Sequence, residues 1–225
     1  YCLEEFGEEV KVNYTTYASN EDMYNKLKSG SVSYDVVIPS DYMIERMKKE
    51  NMLKKVDTKA LSNYKYIADR YKNLYFDEKN EYSVPYCVGM VGLIYNSSMI
   101  DEKPDSWGVM WDERYNDDIL NFNNPRDAFA VAQLYMGYDL NSSDLSQWDK
   151  AAEKLKEQKS ILQSYVMDEI FQKMEDGEAA IAPYYAGDFL LMQENNPDLD
   201  FVYPKEGVNI FVDSICIPKS SKNYD

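Results

Sequence analysis

One carboxylate interrupts an apolar run in the stretch IFVDSICIP, residues 210–218: Asp213 stands between Val212 and Ser214, with Phe211, Ile215 and Ile217 around it. An ionised carboxylate buried without a partner costs on the order of several kcal/mol. Such a residue must therefore end at a solvated cleft or meet a cation. Three other places hold comparable chemistry: Ser40, Asp41 and Tyr42 in VVIPSDY; Asn124, Arg126 and Asp127 in NFNNPRD; and Tyr184, Tyr185 and Asp188 in APYYAGD. Aromatic faces attract cations through the ring quadrupole, and carboxylates accept N–H donors with charge assistance. Together these groups read as a site for an ammonium group.

Each residue also has a purely structural use. Ser40 or Asp41 can cap the helix that follows it. Asp127 and Asp188 can favour the dipole of a helical first turn. Tyr184 and Tyr185 can pack a sheet. Asp213 is hardest to explain this way, because Lys219 lies beyond the end of its strand.

The elements that must position these residues alternate between strand and helix. YCLEEFGEE has helical character, and VKVNYTTY alternates like a strand. SNEDMYNKLKSG reads as a short helix with Ser19 and Asp22 as a capping box, Met23 and Leu27 on one face and Gly30 as its stop. YDVVIPS is a short buried strand ended by Pro39, and SDYMIERMKKENML is a helix. YSVPYCVGMVGLIYN reads as two strand segments broken at Gly89 or Gly92. SWGVMWDERY is helix with loops, and DILNF is a strand. A helix runs from about Pro125 to Met136, with proline suited to its first turn. DLSQWDKAAEKLKEQKS is an exposed amphipathic helix. A further helix ends at Gly177, followed by the strand AAIAPYY, a helix near Gly187, and the strands LDFVYPKEG and NIFVDSICIP. This order predicts α/β layers with largely parallel sheets. In open α/β sheets, loops after strand C-ends carry the binding groups, which is where the residues above fall.

Composition removes several function classes. The 225 residues suffice for one large domain or two lobes of about 100 residues. The net charge of −16, from 24 basic and 40 acidic residues, argues against nucleic acid and anionic membrane surfaces. There is no histidine, so Ser-His and Cys-His nucleophiles and the commonest metal ligand are missing. Cys2, Cys87 and Cys216 form no CxxC pair and read as small buried apolar groups. No apolar run reaches the roughly 18–20 residues of a membrane span. Tyrosine, at 21 residues, supplies ring faces with polar tips suited to binding surfaces.

The chain resembles the polyamine-binding (spermidine/putrescine) proteins of bacterial ABC transporters. The stretches carrying the likeness are NYTTYASNEDMYNKLKSG, YDVVIPSDYMIERMKKENML, YSVPYCVGMVGLIYN, SWGVMWDERY, APYYAGD and VYPKEGVNIFVDSICIP, spread over nearly the whole chain. The resemblance implies a bilobal, periplasmic-binding-protein-like α/β fold of type II. Two mixed or parallel sheets would flank a ligand cleft, with residues 1–90 plus 212–225 in the first lobe, 91–211 in the second, and hinge strands near Val88–Gly92 and Val208–Phe211. It implies a receptor outside the cytoplasm, periplasmic or a surface lipoprotein, that binds putrescine or spermidine and delivers it to an ABC permease, with no catalysis, metal or cofactor.

By position, Ser40 and Tyr42 match a ligand-contacting serine and aromatic, with Asp41 between them. Asn124 and Asp127 match two acidic positions, the first replaced by an amide. Tyr185 stands where a tryptophan stacks on the ligand's methylene chain, and Asp188 matches the acid of an aromatic-Ala-Gly-Asp motif. Phe211 stands at a Trp/Phe position, Asp213 matches an amine-binding acid, and Tyr86 completes the set. Phe211 and Asp188 favour putrescine. The family's first strand motif and C-terminal helical region have no counterpart here, and the opening YCLEEFGEEV reads as mid-helix, so a fragment shortened at both ends is expected. Three alternatives stay open: a ferric-ion receptor of the same fold using Tyr184 and Tyr185, a carboxylate-pair hydrolase using Asp188 and Asp213, and a purely structural surface lipoprotein.

Overall fold

The computed structural model describes Gly7 and residues 11–223. The helix expected over residues 1–9, Cys2 included, lies outside the described residues except for Gly7. Helix α1 (Asn20–Ser29) begins as its sequence dictates: Ser19 Oγ accepts the Asp22 N–H at 3.1 Å, and Gly30 ends it at φ 71°, a left-handed conformation cheap only without a Cβ. Helix α2 (Asp41–Lys49) places Met43, Ile44 and Met47 inward. Burying side chains of this size stabilises the fold by about 1.5–3 kcal/mol each. These residues join Met23, Tyr24, Phe76, Val212 and Cys216 in one hydrophobic cluster.

Strand β1 (Val84–Asn96) is continuous, not broken at a glycine. Its partners change instead. From Val84 to Met90 it pairs antiparallel with β6 (Ile210–Ile215); from Val91 onward it pairs antiparallel with β4 (Ile181–Tyr185) and, from Leu93, with β5 (Leu199–Val202). Gly89 and Gly92 make room rather than a break. A Cβ on Gly89 would lie 2.1 Å from Cζ of Phe211, and one on Gly92 would lie 2.1 Å from Cζ of Phe201.

Strand β2 (Ile119–Phe122) runs parallel to β4 and to β3 (Leu162–Val166), giving the order β3-β2-β4-β1-β5, with β6 also on β1. The sheet is therefore mixed, not largely parallel. The correction follows from β1: its long apolar run lets one strand serve as antiparallel partner to three others. Strand β3 was not anticipated, because LQSYV is an edge strand with only Val166 buried and shows neither alternation nor a continuous apolar run.

Helices α3 (Pro125–Tyr135), α4 (Leu145–Gln158), α5 (Glu169–Glu175) and α6 (Ala186–Asn195) flank the sheet, and short 3₁₀ turns occupy SWGVMWDERY. A second, larger hydrophobic cluster forms around Leu93, Ile94, Trp107, Met110, Leu120 and Tyr184. Strand β6 touches both clusters: Val212 belongs to the smaller, and Phe211 packs against the larger.

Two further strand expectations change. Residues 11–17 form no strand, since among the described residues no neighbour supplies a ladder, and Val12 and Tyr14 stay exposed. YDVVIPS makes only isolated bridges, Val37 to Cys216 and Ser40 to Asp213. Cys216 is buried as expected, and burial pushes its thiol up; Cys87 is exposed, because it sits on the open face of β1 opposite Asp213.

Candidate functional site

The cross-strand bridge between Ser40 and Asp213 fixes one end of the site. Ser40 Oγ does not cap α2; it donates to Oδ1 of Asp213 at 2.7 Å and accepts from Asn20 Nδ2 at 3.0 Å. Asn20 Oδ1 in turn accepts the Ser40 N–H at 3.3 Å. Asp213 is half-buried, and no lysine or arginine, Lys219 included, forms an ion pair with it among the described residues. Burial raises the Asp213 carboxyl above the ordinary carboxylate range, the Ser40 hydroxyl opposes that shift, and the charge of Asp41 adds to it.

Asp41 is a strut rather than an open acceptor. One oxygen takes the Tyr42 N–H at 2.6 Å and the other takes the Val212 N–H at 3.1 Å, tying the start of α2 to β6. It is buried, and burial raises its carboxyl.

Asp127, in the first turn of α3, forms the second acidic centre. It is only 7% exposed. Its Oδ2 accepts from the Tyr185 hydroxyl at 2.7 Å and from Asn124 Nδ2 at 2.9 Å, and Asn209 Nδ2 reaches Oδ1 at 3.5 Å. Asn124 also caps α3 by accepting the Arg126 N–H at 3.0 Å, so its structural and site roles coincide. Burial raises the Asp127 carboxyl; the Tyr185 hydroxyl and the Arg126 charge oppose this, and the charge of Glu21 adds to it.

Rings lie between the two carboxylates. Phe211 shares the face of β6 that carries Asp213, two residues on. Its ring meets Tyr185 edge-on, with centroids 5.5 Å apart at 76°. Tyr185 then tilts against Phe122 and Tyr184 at 5.4 and 4.8 Å. The series Asp213, Phe211, Tyr185, Asp127 thus sets an acid at each end of an aromatic strip.

Tyr42 is held from two sides. Its hydroxyl donates to Glu21 Oε1 at 2.9 Å, while the Arg126 guanidinium carbon stands 4.0 Å from its ring centroid. The π-face expected to meet a ligand therefore already holds a cation of the protein. Asp188 is half-buried and makes no hydrogen bond among the described residues; burial and the charge of Asp168 raise its carboxyl. Among the described residues nothing joins it to Asp213, so the acid–base pair of a hydrolase finds no support. Tyr86, 67% exposed, lies at the irregularity between Pro85 and Cys87, the β1 residues paired with Ser214 and Asp213 of β6.

Nothing among the described residues supports Tyr184 and Tyr185 as a phenolate pair for iron. Both phenols are pushed well above their ordinary value, by burial first and by neighbouring carboxylates second. No group of three or more His, Cys, Asp or Glu among the described residues is placed to hold a metal.

Sequence reading missed Asn20, Glu21 and Asn209 and gave Arg126 no role. Asn20 and Glu21 sit in SNED, whose only visible signal is the start of a helix. Their reach toward Ser40 and Tyr42 depends on how α1 and α2 pack.

The family model described as bacterial extracellular solute-binding protein matches residues 32–224. The chain is 35% identical over 227 residues to the spermidine/putrescine-binding periplasmic protein of Salmonella typhimurium, in an alignment covering 99% of this chain and 65% of that protein. Among solved structures, the spermidine/putrescine ABC transporter substrate-binding protein PotD from Streptococcus pneumoniae superposes with a TM-score of 0.79 at 36% identity, covering 99% of this chain and 68% of that one. The TpPotD lipoprotein of Treponema pallidum gives 0.88 at 27%, covering 99% and 70%. The chain thus spans 65% of the length of the Salmonella relative.

Proposed function

The chain belongs to the bacterial extracellular solute-binding proteins, and from that premise we propose that it captures a polyamine, putrescine or spermidine, for delivery to an ABC permease. One observation carries this reading: Asp213, half-buried with no cationic partner among the described residues, opens an aromatic strip that ends at a second acid, Asp127. A polyamine has the complementary form. Each ammonium needs a carboxylate or several oxygen acceptors to offset its desolvation, and the methylene chain between them needs ring faces. Ser40 and Asp213 take one ammonium, Asp127 with Asn124 receives the other, and Phe211 and Tyr185 cover the chain.

The mechanism is non-catalytic. Residues 1–90 with 212–225 form one lobe and 91–211 the other, and ligand shifts the molecule toward a closed form that docks on the permease. The partner change of β1 between Met90 and Val91 and the start of β6 at Ile210 support hinges at Val88–Gly92 and Val208–Phe211. The protein works outside the cytoplasm, like its periplasmic relative and the Treponema lipoprotein. No helix among the described residues is long and apolar enough to cross a membrane.

A thermal-shift series on the full-length protein with putrescine, cadaverine, spermidine and spermine tests the reading. At a hundredfold excess over Kd, binding stabilises the native state by about 2.7 kcal/mol, so the matching amine should raise the melting temperature clearly. Absence of a shift with all four amines overturns the proposal.

A further inference from the structure

Glu21, in the first turn of α1, leaves a polar atom unexplained. Its Oε1 accepts from the Tyr42 hydroxyl at 2.9 Å, but its Oε2 is shielded from water and has no hydrogen-bond partner among the described residues. No lysine or arginine among the described residues forms an ion pair with Glu21 or with Asp127. A desolvated, unpaired carboxylate oxygen is unfavourable, and few native structures keep one without a use. Glu21 also lies near enough to Asp127 for its charge to raise that carboxyl, although the two residues belong to α1 and α3. The protein's own cation marks the same place: Arg126 covers the face of Tyr42, the residue whose hydroxyl holds Glu21.

We propose that Glu21 is a further ligand-binding carboxylate of this site, accepting with Oε2 the ammonium at the Asp127 end of a bound polyamine. The inference rests on the polyamine reading and adds a residue to it. Two carboxylates from opposite sides then enclose one ammonium, and Tyr42 orients Glu21 by occupying its other oxygen. Arg126 yields part of the Tyr42 face when ligand enters. Asp127, already supplied with three donors from Tyr185, Asn124 and Asn209, needs this help more than Asp213 does.

A double-mutant cycle by calorimetry with putrescine, on the full-length protein, separates a direct contact from a structural one. The proteins are wild type, Glu21→Gln, Tyr42→Phe and the double variant. A direct contact predicts that Glu21→Gln weakens putrescine binding at least tenfold in both backgrounds, with the ligand-free melting temperature preserved. If the loss disappears once the Tyr42 hydroxyl is gone, Glu21 only positions Tyr42 and the proposal is overturned. Undiminished affinity of Glu21→Gln overturns it equally and leaves the polyamine reading intact. A wild type that binds neither putrescine nor spermidine defeats both. Should Glu21→Gln fail to fold, Glu21→Asp keeps the charge but shortens its reach; it should still lose about tenfold, and wild-type affinity would refute the contact.

Discussion

Ser40 and Asp213 lie 173 positions apart in the chain, yet the serine hydroxyl donates to the carboxylate at 2.7 Å and their backbones form an antiparallel bridge. The bridge brings the start of α2 to β6, and among the described residues Asp213 has one hydroxyl partner and no cation. An acid so placed keeps acceptor capacity for a ligand, whereas Asp127 and Asp41 have theirs largely used.

The first prediction compares the two acids. Asp213→Asn should weaken putrescine binding by at least tenfold, since a hydrogen bond to a charged partner contributes about 1.5–3 kcal/mol. Asp127→Asn should cost less, because Asp127 is already satisfied by Tyr185 and Asn124. Calorimetry of both variants decides the ranking, and equal losses would count against it.

A second concerns the space beneath Phe211. Gly89→Ala puts a methyl group where Cζ of Phe211 would be 2.1 Å away, so the ring must move. Overpacking of this kind costs about 1–3 kcal/mol. Chemical denaturation should show that loss, and putrescine affinity should fall with it as the ring leaves Tyr185. A variant with unchanged stability and binding would show that the close approach does not matter.

Removing the Tyr185 hydroxyl tests the second acid. Tyr185→Phe takes one donor from a buried carboxylate, at a cost of about 1–3 kcal/mol. It should also move the Asp127 carboxyl further up, because the hydroxyl is the largest opposing influence on that group after burial. Carboxyl-resolved NMR titration reads this directly; an unmoved titration would sever the link.

The pH dependence follows from the raised carboxyls of Asp213, Asp127 and Asp41. An acid with a raised folded pKa contributes stability that is complete below its unfolded value, about 3.9 for Asp, and lost as pH rises through the folded value. Ligand-free protein should therefore gain from these groups as pH falls. Polyamine binding needs the ionised acids, so the thermal shift from ligand should shrink over the same interval, which lies above the usual carboxylate range. A ligand-induced shift that stays constant as pH falls through the titration of these carboxyls would contradict this.

The amino-acid sequence by itself determined most of the local structure. Ser19 and Gly30 bound α1, Pro125 opens α3, and Met43 and Met47 sit inward as their spacing demands. Asp213 could be singled out because a charge in an apolar strand is expensive wherever the strand goes. Tertiary structure alone decided the rest. Whether β1 was one strand or two depended on which neighbours it found, and the alternation in residues 11–17 met no partner among the described residues. Glu21 looked like any acid in a helical first turn until packing shielded one of its oxygens and gave the other to the Tyr42 hydroxyl. Periodicity and capping are local and survive in a string of letters. The desolvation of a single oxygen is set by groups that folding brings from distant parts of the chain.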